Sequence, residues 1–134
     1  MTIADLVAEA HDVHHPVGAG LYYEDQKAEA KRRAKEFRES RIPKFLHYFE
    51  QVLARNGGRY ALRDFSYVDL SLFQVMSGLS YAFPACMGKQ KLPLLRDLAK
   101  RMEQRPHLAA YLASDRRLPH SEDGIFRHYA ELDG

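Results

Sequence analysis

Apolar residues recur at intervals of three, four and seven along most of the chain, and no stretch alternates over a strand's length. The first run, Ile3, Leu6, Val7, Ala10, Val13 and Val17, traces one stripe and predicts a helix from Thr2 to about Tyr23. A Thr2-x-x-Asp5 capping box opens it, and Pro16 predicts a kink or break near His15. A longer helix is expected from Gln26 to Arg55. Its first half, KAEAKRRAKEFRESR, mixes acids and bases at helical-neighbour spacing, which marks a solvated face. Its second half turns Phe45, Leu46, Phe49, Val52 and Leu53 inward. Pro43 should bend this helix, and Asn56-Gly57-Gly58 should stop it.

A further helix is predicted from Tyr67 to about Ala82, followed by a loop, FPACMGKQK. Pro93 opens the next helix, which carries Leu94, Leu95, Leu98 and Met102 and ends at Gln104-Arg105-Pro106. Pro106 starts a short helix, HLAAYLAS, and Asp115 to Gly134 reads as an irregular tail containing Phe126 and Tyr129. The expectation is an all-α fold in one domain spanning residues 1–134, without repeats or low-complexity segments.

The stretch DFSYVDLSLF, residues 64–73, specifies a helix start most heavily. With Ser66 as N-cap, its hydroxyl accepts from the Asp69 amide while the Asp69 carboxylate accepts from the Ser66 amide. Phe65 before the cap can pack on Leu70 as a hydrophobic staple, and the Asp69 charge suits the positive end of the helix dipole. The residues that follow are apolar nearly all round, predicting a helix buried on all sides. These four positions therefore read as structural.

Composition narrows the function classes. Hydrophobic residues make up 46% and charged residues 28%, as in a globular protein. A net charge of +2 gives no case for nucleic acid or an anionic membrane surface. The single cysteine, Cys86, rules out an internal disulfide and fits a reducing compartment. No apolar run approaches the roughly eighteen residues that a membrane span needs. The first residues, MTIADLVAEAHD, carry acids where a signal peptide carries bases, so a cytoplasmic location is expected.

Three ordered motifs carry a resemblance over essentially the whole chain. PKFLHYFEQVLARNGG is similar to the segment ending the second helix of the glutathione transferase C-terminal domain. RDFSYVDLSLF resembles that family's capping box and staple, with Arg63 where a glycine is more usual. LAKRMEQRPHLAAYLASDRRLP is similar to its last two helices, and TIADLVAEAHDVHHPV to the start of its first. The general feel is sigma-, mu- or pi-like. The resemblance implies a five-helix orthogonal bundle with an irregular C-terminal tail.

It also implies a role: one wall of a pocket for an apolar electrophile, and dimer contacts. Tyr22 and Tyr23 fall near the predicted end of the first helix, where the family places aromatics facing the cleft; Phe126 and Tyr129 could fold over it. Core or dimer packing is the competing assignment for these aromatics. Asp12 matches an acid that several members send across the dimer to the glutathione amino group, and is otherwise a surface acid. Glutathione activation belongs to a thioredoxin-like domain that these 134 residues do not contain, so the isolated chain is expected to be inactive. It carries no catalytic residue of its own on this account. No cofactor is expected, with glutathione a co-substrate only where that domain is supplied.

Partners in view are a second copy, a thioredoxin-like domain or an apolar small molecule; the alternative is a stand-alone assembly module of the same fold. His11 and His15 have metal-ligand spacing, but no third ligand accompanies them and Pro16 disturbs the geometry, so no metal is expected.

Overall fold

A computed structural model describes all 134 residues, Met1–Gly134. The regular elements are all helical: α1 (Ile3–Asp12), α2 (Lys27–Glu36), α3 (Ile42–Arg55), α4 (Tyr67–Ala82), α5 (Pro84–Lys89), α6 (Pro93–Glu103), α7 (Pro106–Leu112) and α8 (Ala130–Asp133). α2 and α3 run on through a π-helical turn, Phe37–Arg41, so five helical bodies make the bundle, with α5 and α8 as short additions. The core lies where α4 packs on α6 and α1, and α3 on α6. Phe37, Phe45, Leu46, Leu72, Leu79, Leu95 and Leu98 are all buried there.

Proline chemistry sets the π turn. Pro43 has no N–H to donate, and its ring clashes with the carbonyl four residues back. The backbone widens just before it, and the Ile42 amide donates to the Phe37 carbonyl, five residues earlier. The expected bend at Pro43 is thus taken up as a π turn in a continuous rod. Arg41, at the end of this turn, grips Glu9 of α1 through two hydrogen bonds of 2.8 and 2.6 Å.

α1 is shorter than its apolar stripe implies. It ends at Asp12, and Val17 is 62% exposed. A residue before proline avoids the helical region, so Pro16 blocks continuation through His15 instead of kinking the helix. The chain from Val17 to Tyr22 then wraps the buried Gln26 side chain. Its oxygen accepts from the Val17 amide (2.9 Å), and its nitrogen donates to the carbonyls of Gly18 (3.1 Å) and Leu21 (3.2 Å). Tyr23–Gln26 forms a 3-10 turn, and the second helix starts at Lys27.

Carboxylates cap three helix starts. Asp69 is fully buried; its Oδ2 accepts from the Ser66 amide and its Oδ1 from the Ala61 amide, both at 2.8 Å. Ser66 closes the capping box and accepts from the Val68 amide at 3.3 Å. Glu50 of α3 accepts from the Leu94 and Leu95 amides, at 2.7 and 2.9 Å, and so caps α6 from outside. Asp133 of α8 accepts from the Ala85 amide (2.8 Å) and the Cys86 amide (3.3 Å). Each carboxylate satisfies amides that a helix start leaves open and meets the positive end of a dipole.

Two expected irregular segments are therefore partly helical. The FPACMGKQK loop contains α5, which Pro84 at its first turn permits. The tail ends in α8, which docks on α2 and α5. Between them the tail is seated on α4: the buried Phe126 ring lies against Gly78, where any Cβ would overlap it. α4 is not buried on all sides, since Tyr67 is 78% exposed and Leu70 37%.

Replacing Asp69 with alanine removes the cap and strands the buried Ala61 amide. The expected loss is about 2–4 kcal/mol in urea denaturation, against well under 1 kcal/mol for an exposed acid such as Glu103. Gly78→Ala gains about 1 kcal/mol of helix propensity but overlaps the Phe126 ring, at about 1–3 kcal/mol. Net destabilisation in the same assay is expected, because the ring is held by a buried seat and cannot swing aside freely.

Candidate functional site

The residues that leave α4 partly exposed help to build a large concave surface. Along its outer face run Tyr67, Leu70 and Phe73, three or four apart and hence on one side of the helix. α1 adds Ile3 and Val7, α7 adds Leu108, Tyr111 and Leu112, and the tail closes the far side with Leu118, Ile125 and Phe126. The groove encloses about 1030 Å³. Its polar rim is Arg116, Arg117, His120 and Asp123 from the tail, with Ser71 and Gln74 from α4.

A second hollow of about 610 Å³ shares Ile3, Val7, Tyr67 and Ser71 with the first, so the two form one continuous face. Met1, Tyr48, Phe49, Val52, Leu62 and Val68 also line it, and 12 of its 14 lining residues are hydrophobic. Such a surface binds apolar matter by burial; it has too few polar groups to hold a strongly charged ligand throughout.

Phe126 is the one expected pocket residue that lines the groove. Tyr22 lies in the loop before the 3-10 turn, 79% exposed, and not at a helix end. Tyr23 is buried and stacks on Tyr129 with ring centroids 3.8 Å apart and planes 10° apart. Its hydroxyl donates to Glu131 at 2.9 Å. Burial first, then this bond to a carboxylate, push the Tyr23 phenol well above its ordinary range. Tyr23 and Tyr129 thus fasten the tail to the start of α2. Asp12, at the end of α1, leaves most of its side chain in water, 3.4 Å from His11 Nδ1.

Of the capping and staple residues, Leu70 alone lines the groove. Ser66 and Asp69 set where α4 begins, while Leu70 faces the groove. The Phe65 ring, 37% exposed, carries the Arg105 guanidinium 3.6 Å from its centroid and meets Tyr60 edge-on at 6.1 Å.

Histidines organise the tail side. His14 is buried; its Nε2 lies 2.8 Å from the Ile125 carbonyl and its Nδ1 lies 2.6 Å from His15 Nδ1. His11 and His15 stack with centroids 4.8 Å apart, an arrangement of ring faces rather than converging lone pairs. No group of three or more His, Cys, Asp or Glu side chains is arranged to hold a metal ion. His120 contacts Ser77 at 3.1 Å and stacks on Tyr81, whose hydroxyl donates to Glu122. His128 Nδ1 lies 3.2 Å from the Ala82 carbonyl.

Burial pushes the Cys86 thiol up, and the bond to Glu122 pushes the Tyr81 phenol up. The sequence pattern missed the groove's α4 wall because Tyr67, Leu70 and Phe73 read as core. Exposure of that wall follows from tertiary arrangement, although an all-round apolar helix was the available signal.

Comparison with known proteins matches this architecture. Residues 11–115, more than three-quarters of the chain, match the family described as glutathione S-transferase, C-terminal domain. A glutathione S-transferase of Plasmodium yoelii yoelii is 28% identical over 79 residues, which cover 58% of this chain and 37% of that protein's length. No helix of the chain is long and apolar enough to cross a membrane. The chain belongs to the glutathione S-transferase C-terminal domain family.

Proposed function

We propose that this chain is the helical half of a glutathione transferase, working with a thioredoxin-like domain that binds and ionises glutathione. The continuous apolar face formed by α1, α4, α7 and the tail carries this reading. It offers a wall for an apolar electrophile and a seat for the companion domain. The division of labour has a chemical basis. Making a thiolate at neutral pH needs a group that lowers the thiol's pKa, whereas Tyr23, Tyr81 and Cys86 of this chain are all shifted away from ionisation. The helical half therefore contributes apolar binding and positioning. Dimer contacts, and a bond from Asp12 to a glutathione amino group across a dimer, belong to the same reading, since the Asp12 carboxylate is largely free in water.

The exposure of Tyr67 and Leu118, at 78% and 84%, favours a second reading as an assembly module that buries this face on another protein. A macromolecular partner covers such protruding side chains better than a small molecule does.

The 134-residue chain alone should give background rates with glutathione and a chlorinated nitroaromatic; clear turnover would overturn the division of labour. An apolar fluorescent dye should bind the groove, and Leu70→Asp, at a position that tolerates solvent, should weaken it about tenfold or more. Unchanged dye affinity in that variant would remove the groove from the account. A chain that shows no dye binding and is recovered tightly bound to a defined protein through Tyr67 would favour the assembly reading.

A further inference from the structure

The tail that walls the groove is fastened to the turn after α1 by a polar contact with a specific proton arrangement. The Ile125 carbonyl can only accept, so the His14 Nε2 that lies 2.8 Å from it must carry a proton. A neutral His14 then has a bare Nδ1, which accepts. His15 Nδ1, 2.6 Å away, must supply the proton for that contact. The geometry therefore selects one tautomer for each ring: Nε2–H on His14 and Nδ1–H on His15.

This arrangement takes one added proton but not two. A proton on His15 enters at its Nε2 and leaves the Nδ1–H donation to His14 intact. A proton on His14 must go on Nδ1, where two N–H groups would then face each other at 2.6 Å. No carboxylate touches His14 to offset that charge. The groups facing the pair are His11, stacked on His15, and Asp12 beside His11, from α1; from the tail they are Arg127 and Tyr129. Only Asp12 is negative at neutral pH, and it faces His15.

We propose that His14 and His15 form an acid-opened latch, which holds the Ile125–Arg127 stretch of the tail against the turn after α1 at neutral pH and releases it on acidification. Ile125 and Phe126 line the groove opposite Ile3 and Val7, so opening the latch alters the groove itself. His120 on Ser77 and His128 on the Ala82 carbonyl hold the flanking tail to α4, which confines the movement.

The sign follows from burial. Burial first, and the Arg127 and neighbouring histidine charges in smaller measure, lower His14 to about 4 while it is latched, although the bond to Ile125 opposes this. A released His14 returns to the ordinary range near 6.5. Latch stability is therefore full above about pH 6.5 and falls as pH drops toward 4, by up to about tenfold in the closed-to-open ratio per pH unit. Between pH 7.5 and 5 the expected drop is about thirtyfold.

Nitrogen NMR of the imidazoles at pH 7.5 should find His14 protonated at Nε2 and His15 at Nδ1. Amide hydrogen exchange, corrected for intrinsic rates, should lose about thirtyfold protection at residues 125–127 between pH 7.5 and 5 while α4 keeps its protection. His14→Gln keeps a nitrogen donor for Ile125 and cannot titrate, so its fall should be less than about threefold. His15→Phe removes the facing N–H, so His14 can take a proton while latched and the loss of protection between pH 7.5 and 5 should be smaller than in the parent. If His14→Gln does not fold, that variant decides. Other tautomers, a tail protection independent of pH, an equal loss in α4, or a His15→Phe profile identical to the parent's would each overturn the latch.

Discussion

Everything in this bundle depends on where α4 begins, and one buried carboxylate decides that. Asp69 has no contact with water, yet both its oxygens are used: Ser66 donates to one and Ala61 to the other. A buried carboxylate without partners is strongly unfavourable, so these two amides turn a liability into a locating pin. The Ala61 carbonyl is taken as well, by the Asn56 side chain at 2.9 Å. The loop between α3 and α4 is thereby tied at its middle to both helices. With α4 indexed in this way, its inner face meets α6 and its outer face forms the groove.

The same device recurs with different reach. Glu50 works across 44 residues of sequence to hold the start of α6, and Asp133 across 48 to hold the start of α5. Of Asp69, Glu50 and Asp133, only Asp69 caps locally enough to leave a motif in the sequence. Ser66-x-x-Asp69 and Thr2-x-x-Asp5 were legible because a capping box spans three residues. Glu50 and Asp133 look like ordinary surface acids until the chain folds. Gln26 was hidden for a related reason: its side chain serves a loop whose path is set by Pro16 and tertiary packing.

Element types were legible nearly throughout, and boundaries less so. The apolar stripe of α1 runs on past Asp12 in sequence, but it is buried only as far as Val13, the helical C-cap, and Val17 is 62% exposed. Among the aromatics expected at a pocket, Phe126 reaches the groove, while Tyr23 and Tyr129 stack on each other and pin the tail. An aromatic near a cleft and one that fastens the cleft's wall have the same one-letter signature. His15 was read with His11 for metal spacing and His14 was passed over, because the Ile125 carbonyl that orients His14 lies 111 residues away in sequence.

The pin at Asp69 can be watched directly at the two amides it holds. Neither Ala61 nor Ser66 lies within a helix, so ordinary loop exchange would be fast. Native-state hydrogen exchange should instead find both amides protected to about the level of the α4 core, and losing protection only with global unfolding. Fast exchange at Ala61 and Ser66 beneath a well-protected α4 would contradict the claim that this carboxylate sets the helix and, through it, the groove.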